Sequence, residues 1–269
     1  MLDNLPLRRR RTDRGTRFRR GVFLLPSLLT VANLFCGYAC VVYATRADFD
    51  TAALLIGIAM VLDTLDGFFA RLTNSSSAFG VQLDSLADVV SFGMAPAILA
   101  FTWGLWPLQR VGWAVGFLYV AATAMRLARF NIQTNTVHDK RYFAGLPSPA
   151  AAGVIASTVY LFPTGLTEWR AALPALAMVL VPALLMVSTI RFRSVKAIDV
   201  GWRRSYFALF IAAAIFALIA THPRMALVVM AYSYVVWAVV SWALGRQRRP
   251  HAESHVEEPH APPQTSELH

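Results

Sequence analysis

The chain has 269 residues, 57% of them apolar and 15% charged, and its 25 Lys and Arg against 15 Asp and Glu leave a net charge of +10 and a pI near 10.3. In a soluble protein that charge would suggest nucleic acid, but apolar runs close to 20 residues long have the length of a bilayer crossing and point to an integral membrane protein with no nucleic-acid partner. Its arginines then serve to anchor the chain against anionic cytoplasmic lipid.

Residues 1–21 form a basic segment, with RRRRTDRGTRFRR from Arg8 to Arg20. No short apolar stretch with a small-residue cleavage site follows, so the segment is expected to be cytoplasmic rather than part of a signal peptide. The membrane-embedded domain is expected over 22–245, an all-α unit of about eight spans at 22–44, 51–70, 83–105, 111–128, 149–167, 171–190, 206–221 and 225–244. Cys36 and Cys40, one turn apart in the first span, read as packing residues without metal or redox partners. The fourth span ends in Arg126, Arg129 and Asn131. The turn GLPSP, with Pro147 and Pro149, precedes the fifth; irregular backbone at membrane depth is tolerated where it lines a cavity, so this turn is expected to border a substrate pocket. Arg191, Arg193 and Lys196 suit either lipid phosphate or a simple positive-inside loop. Residues 246–269 are too polar to bury a core and read as a disordered cytoplasmic tail, its His251, His255 and His260 solvated rather than a metal tract. Eight crossings put both termini on one side. With the N-terminus inside, 21 of the 25 basic residues fall in inner segments and only Arg46, Arg110, Arg170 and Arg224 in outer loops, which sets the orientation.

Between the second and third spans lies DTLDGFFARLTNSSSAFGVQLDSLAD, from Asp63 to Asp88. Ionisable groups at membrane depth are rare because they are costly, so four carboxylates there mark a functional site. Asp63 and Asp66 are three apart and Asp84 and Asp88 four apart, so on helices each pair projects from one face. Measured from Arg71 and Gly80, Asp66 and Asp84 lie about 6 to 8 Å deep and Asp63 and Asp88 about 12 Å, as two layers. Mutual repulsion and desolvation oppose four ionised carboxylates, and the C-terminal end of the second helix adds negative potential beside Asp66. Divalent cations resolve this. An oxygen-only set suits Mg²⁺, Mn²⁺ or Ca²⁺ and argues against zinc. Mg²⁺ is typically completed by substrate phosphates, which suggests a diphosphate and a phosphoryl displacement. Gly67 and Gly80 would let a nucleotide approach the backbone, and Arg71 would neutralise a phosphate.

The cluster completes D-x2-D-G-x2-A-R-x8-G-x3-D-x3-D, which resembles the motif of the CDP-alcohol phosphatidyltransferases. With LLTVANLFCGYA (28–39), LDSLADVVSFGMAPA (83–97), RLARFN (126–131), FAGLPSPAAAG (143–153) and MVSTIRFRSVK (186–196), the likeness spreads over about 170 residues and is closest to the membrane-embedded prokaryotic CDP-diacylglycerol:serine O-phosphatidyltransferases. The resemblance implies a six-helix core with the last two spans peripheral, a homodimer in the cell membrane with the active site facing the cytoplasm, and transfer of a phosphatidyl group from CDP-diacylglycerol to L-serine, giving phosphatidylserine and CMP. It makes Asp63, Asp66, Asp84 and Asp88 ligands of two Mg²⁺ or Mn²⁺ ions and Asp88 also the catalytic proton acceptor. Gly67 and Arg71 hold the nucleotide and its phosphates, with Gly80 and, more weakly, Ser77 beside them. The chemistry agrees: the serine hydroxyl is a poor nucleophile until a carboxylate takes its proton. Serine also carries a carboxylate and an ammonium, so a cation and acceptors are needed. Arg126, Arg129 and Asn131 are candidates for serine or for the donor phosphate; as interface anchors the two arginines would have neither role.

Two alternatives stay open on the residues alone. The acceptor could be glycerol 3-phosphate, inositol phosphate or choline with the same chemistry. An ion-coupled transporter would also use intramembrane aspartates, but it predicts interrupted helices in two related halves and has no need of G-x2-A-R between the carboxylates.

Overall fold

The structure, a computed structural model, describes residues 14–73, 77–136, 142–188, 191–193 and 221–246. Helix α1 (Arg14–Thr45) begins within the basic segment and carries Pro26; a tight turn then leads to α2 (Phe49–Thr73). Ala47 adopts positive φ in that turn, and Asp48 starts α2 by accepting a hydrogen bond from the Thr51 amide at 3.2 Å, as an N-cap side chain does. The two helices pack along small residues: Cys36, Cys40 and Ala44 of α1 are buried, as are Ala52, Ala53 and Ala59 of α2, so the backbones approach closely as in membrane bundles. Both cysteines are free thiols in this packing layer.

The third helical stretch, α3, runs continuously over Ala78–Leu108. It starts five residues before the expected 83 because Ser77 caps it, its hydroxyl accepting from the Gly80 amide at 2.9 Å. Two π-turns, Val89–Met94 and Phe101–Leu105, widen it before it closes in a 3₁₀ turn. Such turns inside a helix recur at functional sites, and the first begins immediately after Asp88. Helix α4 (Arg110–Thr136) outlasts the expected 111–128 by two turns at its C-terminal end.

The first three residues of GLPSP, 145–147, stand outside the helices, and Pro149 sits in the first turn of the next helix, where its missing N–H has no intrahelical partner to lose. Gly145 has φ +84, and a Cβ there would lie 2.4 Å from the Met186 carbonyl oxygen, so only glycine fits. The Leu146 amide donates to the Leu185 carbonyl at 3.2 Å, tying the turn to a neighbouring helix end. Helix α5 (Ser148–Leu161) follows, and α6 spans Trp169–Val187. The span expected at 149–167 is thus shorter: Pro163 bars Phe162 from helical conformation, and α5 is about 21 Å long, below the bilayer core thickness. Its exit segment is fixed instead to α3, where the Trp103 indole donates to the Phe162 carbonyl and the Leu166 amide to the Trp103 carbonyl, both at 2.7 Å.

The described residues are helical almost throughout, as expected of an all-α chain, with one short ribbon beside the helices. Strands β1 (Tyr142–Ala144) and β2 (Arg191–Arg193) form a short antiparallel ribbon with Phe143 opposite Phe192. Their backbone groups lie beyond the helices and pair with each other, a local solution that helical periodicity could not reveal. Helix α7 (Pro223–Arg246) covers the residues of the span expected at 225–244. The span expected at 206–221 lies outside the described residues apart from Thr221, as do most of the basic N-terminal segment, the tail after Arg246 and Lys196. Among the described residues, five helices are long and apolar enough to cross a membrane: α1 from Pro26, α2, α3, α4 and α6. The fold is that of a helical multi-pass membrane protein. Its core runs between these helices through Ile56, Phe92, Leu99, Ile155 and Met186, all fully buried.

Candidate active site

The expected hairpin of α2 and α3 brings its carboxylates together at one end of the bundle. One oxygen from each of Asp63, Asp84 and Asp88 lies within 4.8 Å of the others, and all three side chains are half-buried. The 4-residue spacing of Asp84 and Asp88 puts both on one face of α3, and the last turns of α2 place Asp63 against them. Asp66 is turned to one side: it is buried, and its carboxylate accepts a hydrogen bond from the Thr30 hydroxyl of α1. Asp63, Asp84 and Asp88 thus converge most tightly, and Asp66, held by Thr30, lies beside them, near enough for its charge to act on Asp63 and Asp84.

Helix α1 supplies a wall that the carboxylate spacing gave no sign of. Thr30 and Asn33 are three residues apart and share one face, so Thr30 meets Asp66 while the Asn33 amide faces Asp88. A close crossing fixes this level. A Cβ on Gly37 would lie 2.8 Å from Ser91 Cα, and the Ser91 hydroxyl donates to the Asn33 carbonyl at 2.9 Å. Ser91 stands three residues after Asp88 and Gly37 four after Asn33. Since α1 and α3 run the same way, one turn back from the crossing sets Asn33 opposite Asp88. The signal available in the sequence was Ser27, Thr30 and Asn33, three polar residues spaced three apart in a largely apolar span.

Helix α4 closes the other side. The Arg126 guanidinium lies near enough to Asp88 to act on its charge, and its Nη1 donates to the Ser148 hydroxyl at the start of α5 at 3.0 Å. Ser148, fully buried, thus links the GLPSP segment to Arg126. Arg129 is engaged elsewhere, donating to the Val187 carbonyl at the C-terminus of α6 at 3.3 Å. Asn131 donates to the Ser85 hydroxyl at 2.9 Å and so braces α4 against the aspartate helix.

Arg71, exposed at the end of α2, folds back over Gly67: a Cβ on Gly67 would lie 3.6 Å from its Nη1. Gly80 and Ser77 form the capped start of α3 nearby. The donor set suits a hard divalent cation. It is all oxygen, converges within one coordination radius or two, and one of its atoms, Asp88 Oδ1, is buried without a hydrogen-bond partner.

A family model described as CDP-alcohol phosphatidyltransferase matches residues 23–190. The chain belongs to that family. In this CDP-alcohol phosphatidyltransferase the matched stretch takes in α2 to α6 and nearly all of the membrane part of α1, six helices in all, and leaves α7 outside. It is similar to the CDP-diacylglycerol–serine O-phosphatidyltransferase of Helicobacter pylori, 39% identical over 82% of this chain and 92% of that protein. The protein of that name from Mycobacterium leprae is 33% identical over 83% of this chain and 74% of its own length. The archaetidylserine synthase of Methanothermobacter thermautotrophicus is 35% identical over 62% and 69% respectively.

Proposed function

We propose that this phosphatidyltransferase transfers the phosphatidyl group of CDP-diacylglycerol to the hydroxyl of L-serine, giving phosphatidylserine and CMP. The observation that carries the reading is the convergence of Asp63, Asp84 and Asp88 at one end of the α2–α3 hairpin, in a chain similar over four-fifths of its length to proteins named for that reaction. Asp63, Asp84 and Asp88, with Asp66 beside them, would hold Mg²⁺ or Mn²⁺, two ions by the family pattern. When bound, such ions polarise the diphosphate and stabilise the charge that develops on it.

The serine hydroxyl oxygen attacks the phosphorus that bears the diacylglycerol. As the new P–O bond forms, the bond from that phosphorus to the bridging oxygen breaks and CMP departs with the electron pair. Asp88 takes the hydroxyl proton; it is the deepest carboxylate on α3 and has an oxygen committed to no other group. Arg71 and the capped start of α3 at Ser77 and Gly80 face the nucleotide phosphates, and Gly67 leaves room for them. Arg126, beside Asp88, meets the acceptor; Arg129 and Asn131 hold the helices in place around it.

The positive-inside distribution supports a cytoplasmic site in a prokaryotic cell membrane, and the commonness of symmetric pairs supports a homodimer.

The test is CMP release by purified protein from CDP-diacylglycerol with Mn²⁺ or Mg²⁺, offered L-serine, glycerol 3-phosphate, inositol phosphate or choline. Serine-dependent release is expected. Release with one of the others alone would replace the acceptor and keep the chemistry, and no release with any, together with no stabilisation by CDP and metal, would favour a transporter. Incubation with labelled CMP and no serine checks for direct attack: rapid exchange of label into the donor would mean a covalent phosphatidyl-enzyme and would remove Asp88 from the role of base.

A further inference from the structure

Four polar atoms around Asp88 are buried without hydrogen-bond partners: Asn33 Nδ2, Asn33 Oδ1, Asp88 Oδ1 and Arg126 Nε. Buried polar atoms are rarely left unpaired, because each forgoes its hydrogen bonds to water without replacement. Asn33 is the extreme case, with no exposed surface at all: its amide group faces the Asp88 carboxylate, which its nitrogen can meet, while its carbonyl oxygen has nothing to accept from. An apolar residue would fill that place at lower cost, unless a ligand brings the partners. The quartet has a definite chemistry. Arg126 offers a charged donor, Asp88 an acceptor, and Asn33, whichever way its amide is turned, one donor and one acceptor.

We propose that Asn33 is an acceptor-binding residue, whose carbonyl oxygen receives the ammonium group of serine while Arg126 holds the carboxylate and Asp88 receives the hydroxyl. The inference rests on the serine reading above and assigns its selectivity. An amino acid with a side-chain hydroxyl matches the quartet group for group: one anion for the guanidinium, one cationic donor for the amide oxygen, one hydroxyl for the carboxylate. The amide nitrogen donates to Asp88 or to the serine carboxylate. Glycerol 3-phosphate and inositol phosphate bring no cationic donor, and choline brings a cation with no N–H to donate. The crossing of α1 on α3 at Gly37 and Ser91 holds Asn33 at the level of Asp88, so α1 is a specificity wall of the site as well as a packing partner.

Two serine analogues separate the contacts. 3-Hydroxypropanoate keeps the hydroxyl and carboxylate and lacks the ammonium; ethanolamine keeps the hydroxyl and ammonium and lacks the carboxylate. With wild-type protein, CDP-diacylglycerol and Mn²⁺, serine should be preferred over both in kcat/KM. Asn33→Ala should raise the serine KM about 10- to 100-fold, a loss of the size expected for a hydrogen bond to a charged group, with the KM for CDP-diacylglycerol within about threefold. Its preference for serine over 3-hydroxypropanoate should collapse by at least about tenfold while its preference over ethanolamine stays, and Arg126→Gln should show the reverse pattern. Asn33→Asp keeps the shape and an acceptor for the ammonium, so it should retain the preference over 3-hydroxypropanoate even if the alanine variant misfolds. Binding of CDP-diacylglycerol, read as a thermal shift with Mn²⁺, reports that each variant is folded. Wild-type protein inactive with serine would overturn the acceptor reading and this inference with it. Wild-type activity with serine, combined with an unchanged serine KM in Asn33→Ala or equal loss of both preferences, would overturn this inference alone, as would a folded Asn33→Asp that no longer discriminates against 3-hydroxypropanoate.

Discussion

The two ends of α2 carry aspartates in opposite circumstances. At its start, Asp48 caps the helix and Asp50 pairs with Arg224 of α7 at 3.0 Å, both partners a little under half exposed, while the same guanidinium lies 4.8 Å over the Tyr160 ring. These are carboxylates with protein partners, and their business is to hold the chain ends of α2 and α7 together. At its other end Asp63 meets two more carboxylates and no cation of its own, with Arg126 the single guanidinium acting on Asp88 among the described residues. A carboxylate answered by the protein is architecture; a group of carboxylates left unanswered at membrane depth is a place kept for ligands.

That contrast is tested most severely by removing charge from the unanswered end. Asp88→Asn should lower turnover by about 100- to 10,000-fold, the usual span for a general base, with much less effect on donor affinity. Asp63→Asn and Asp84→Asn should instead weaken binding of CDP-diacylglycerol and metal together, and chelation should abolish wild-type activity until Mn²⁺ or Mg²⁺ is restored. Normal donor binding by inactive Asp63→Asn or Asp84→Asn protein, measured directly, would break the shared-ligand picture.

A smaller effect is expected where α1 crosses α3. Gly37→Ala places a Cβ 2.6 Å from Ser91 Oγ and 2.8 Å from its Cα, so the helices must separate; overpacking of this kind costs about 1–3 kcal/mol, visible in the thermal midpoint in detergent, and should reduce activity by displacing Asn33 from Asp88. An active, equally stable variant would mean that the crossing does not set the site. Arg129→Ala removes a donor from the C-terminus of α6 and should cost about 1 kcal/mol in stability with the serine KM unchanged. The least effect belongs to the answered end: Asp50→Asn or Arg224→Gln breaks a half-exposed pair worth about 0–1 kcal/mol and should leave kcat within about twofold. A large catalytic loss there would erase the distinction between the two ends.

Much of this was legible in the chain. Apolar runs of bilayer length fixed the class, and Asp63 with Asp66, and Asp84 with Asp88, could be read as two pairs because helical spacing is a local rule: residues three or four apart share a face wherever the helix lies. Proline and glycine were local too, so the chain turns at 145–147 just before a helix that opens with Pro149 in its first turn. Helix ends were less so. Ser77 extended α3 by capping it and Pro163 ended α5 early, both through hydrogen bonding and sterics that an apolar count does not register. What only the tertiary structure decided was which groups from distant segments meet. Thr30 of α1 holds Asp66 beside the triad, Arg129 and Asn131 turn to helix ends and helix neighbours, and Arg126 and Asn33 close on Asp88 from α4 and α1. The periodicity of one helix says which way a residue points but not what stands opposite. That depends on where two helices cross, and here the crossing is set by the missing side chain of Gly37 against the backbone of Ser91.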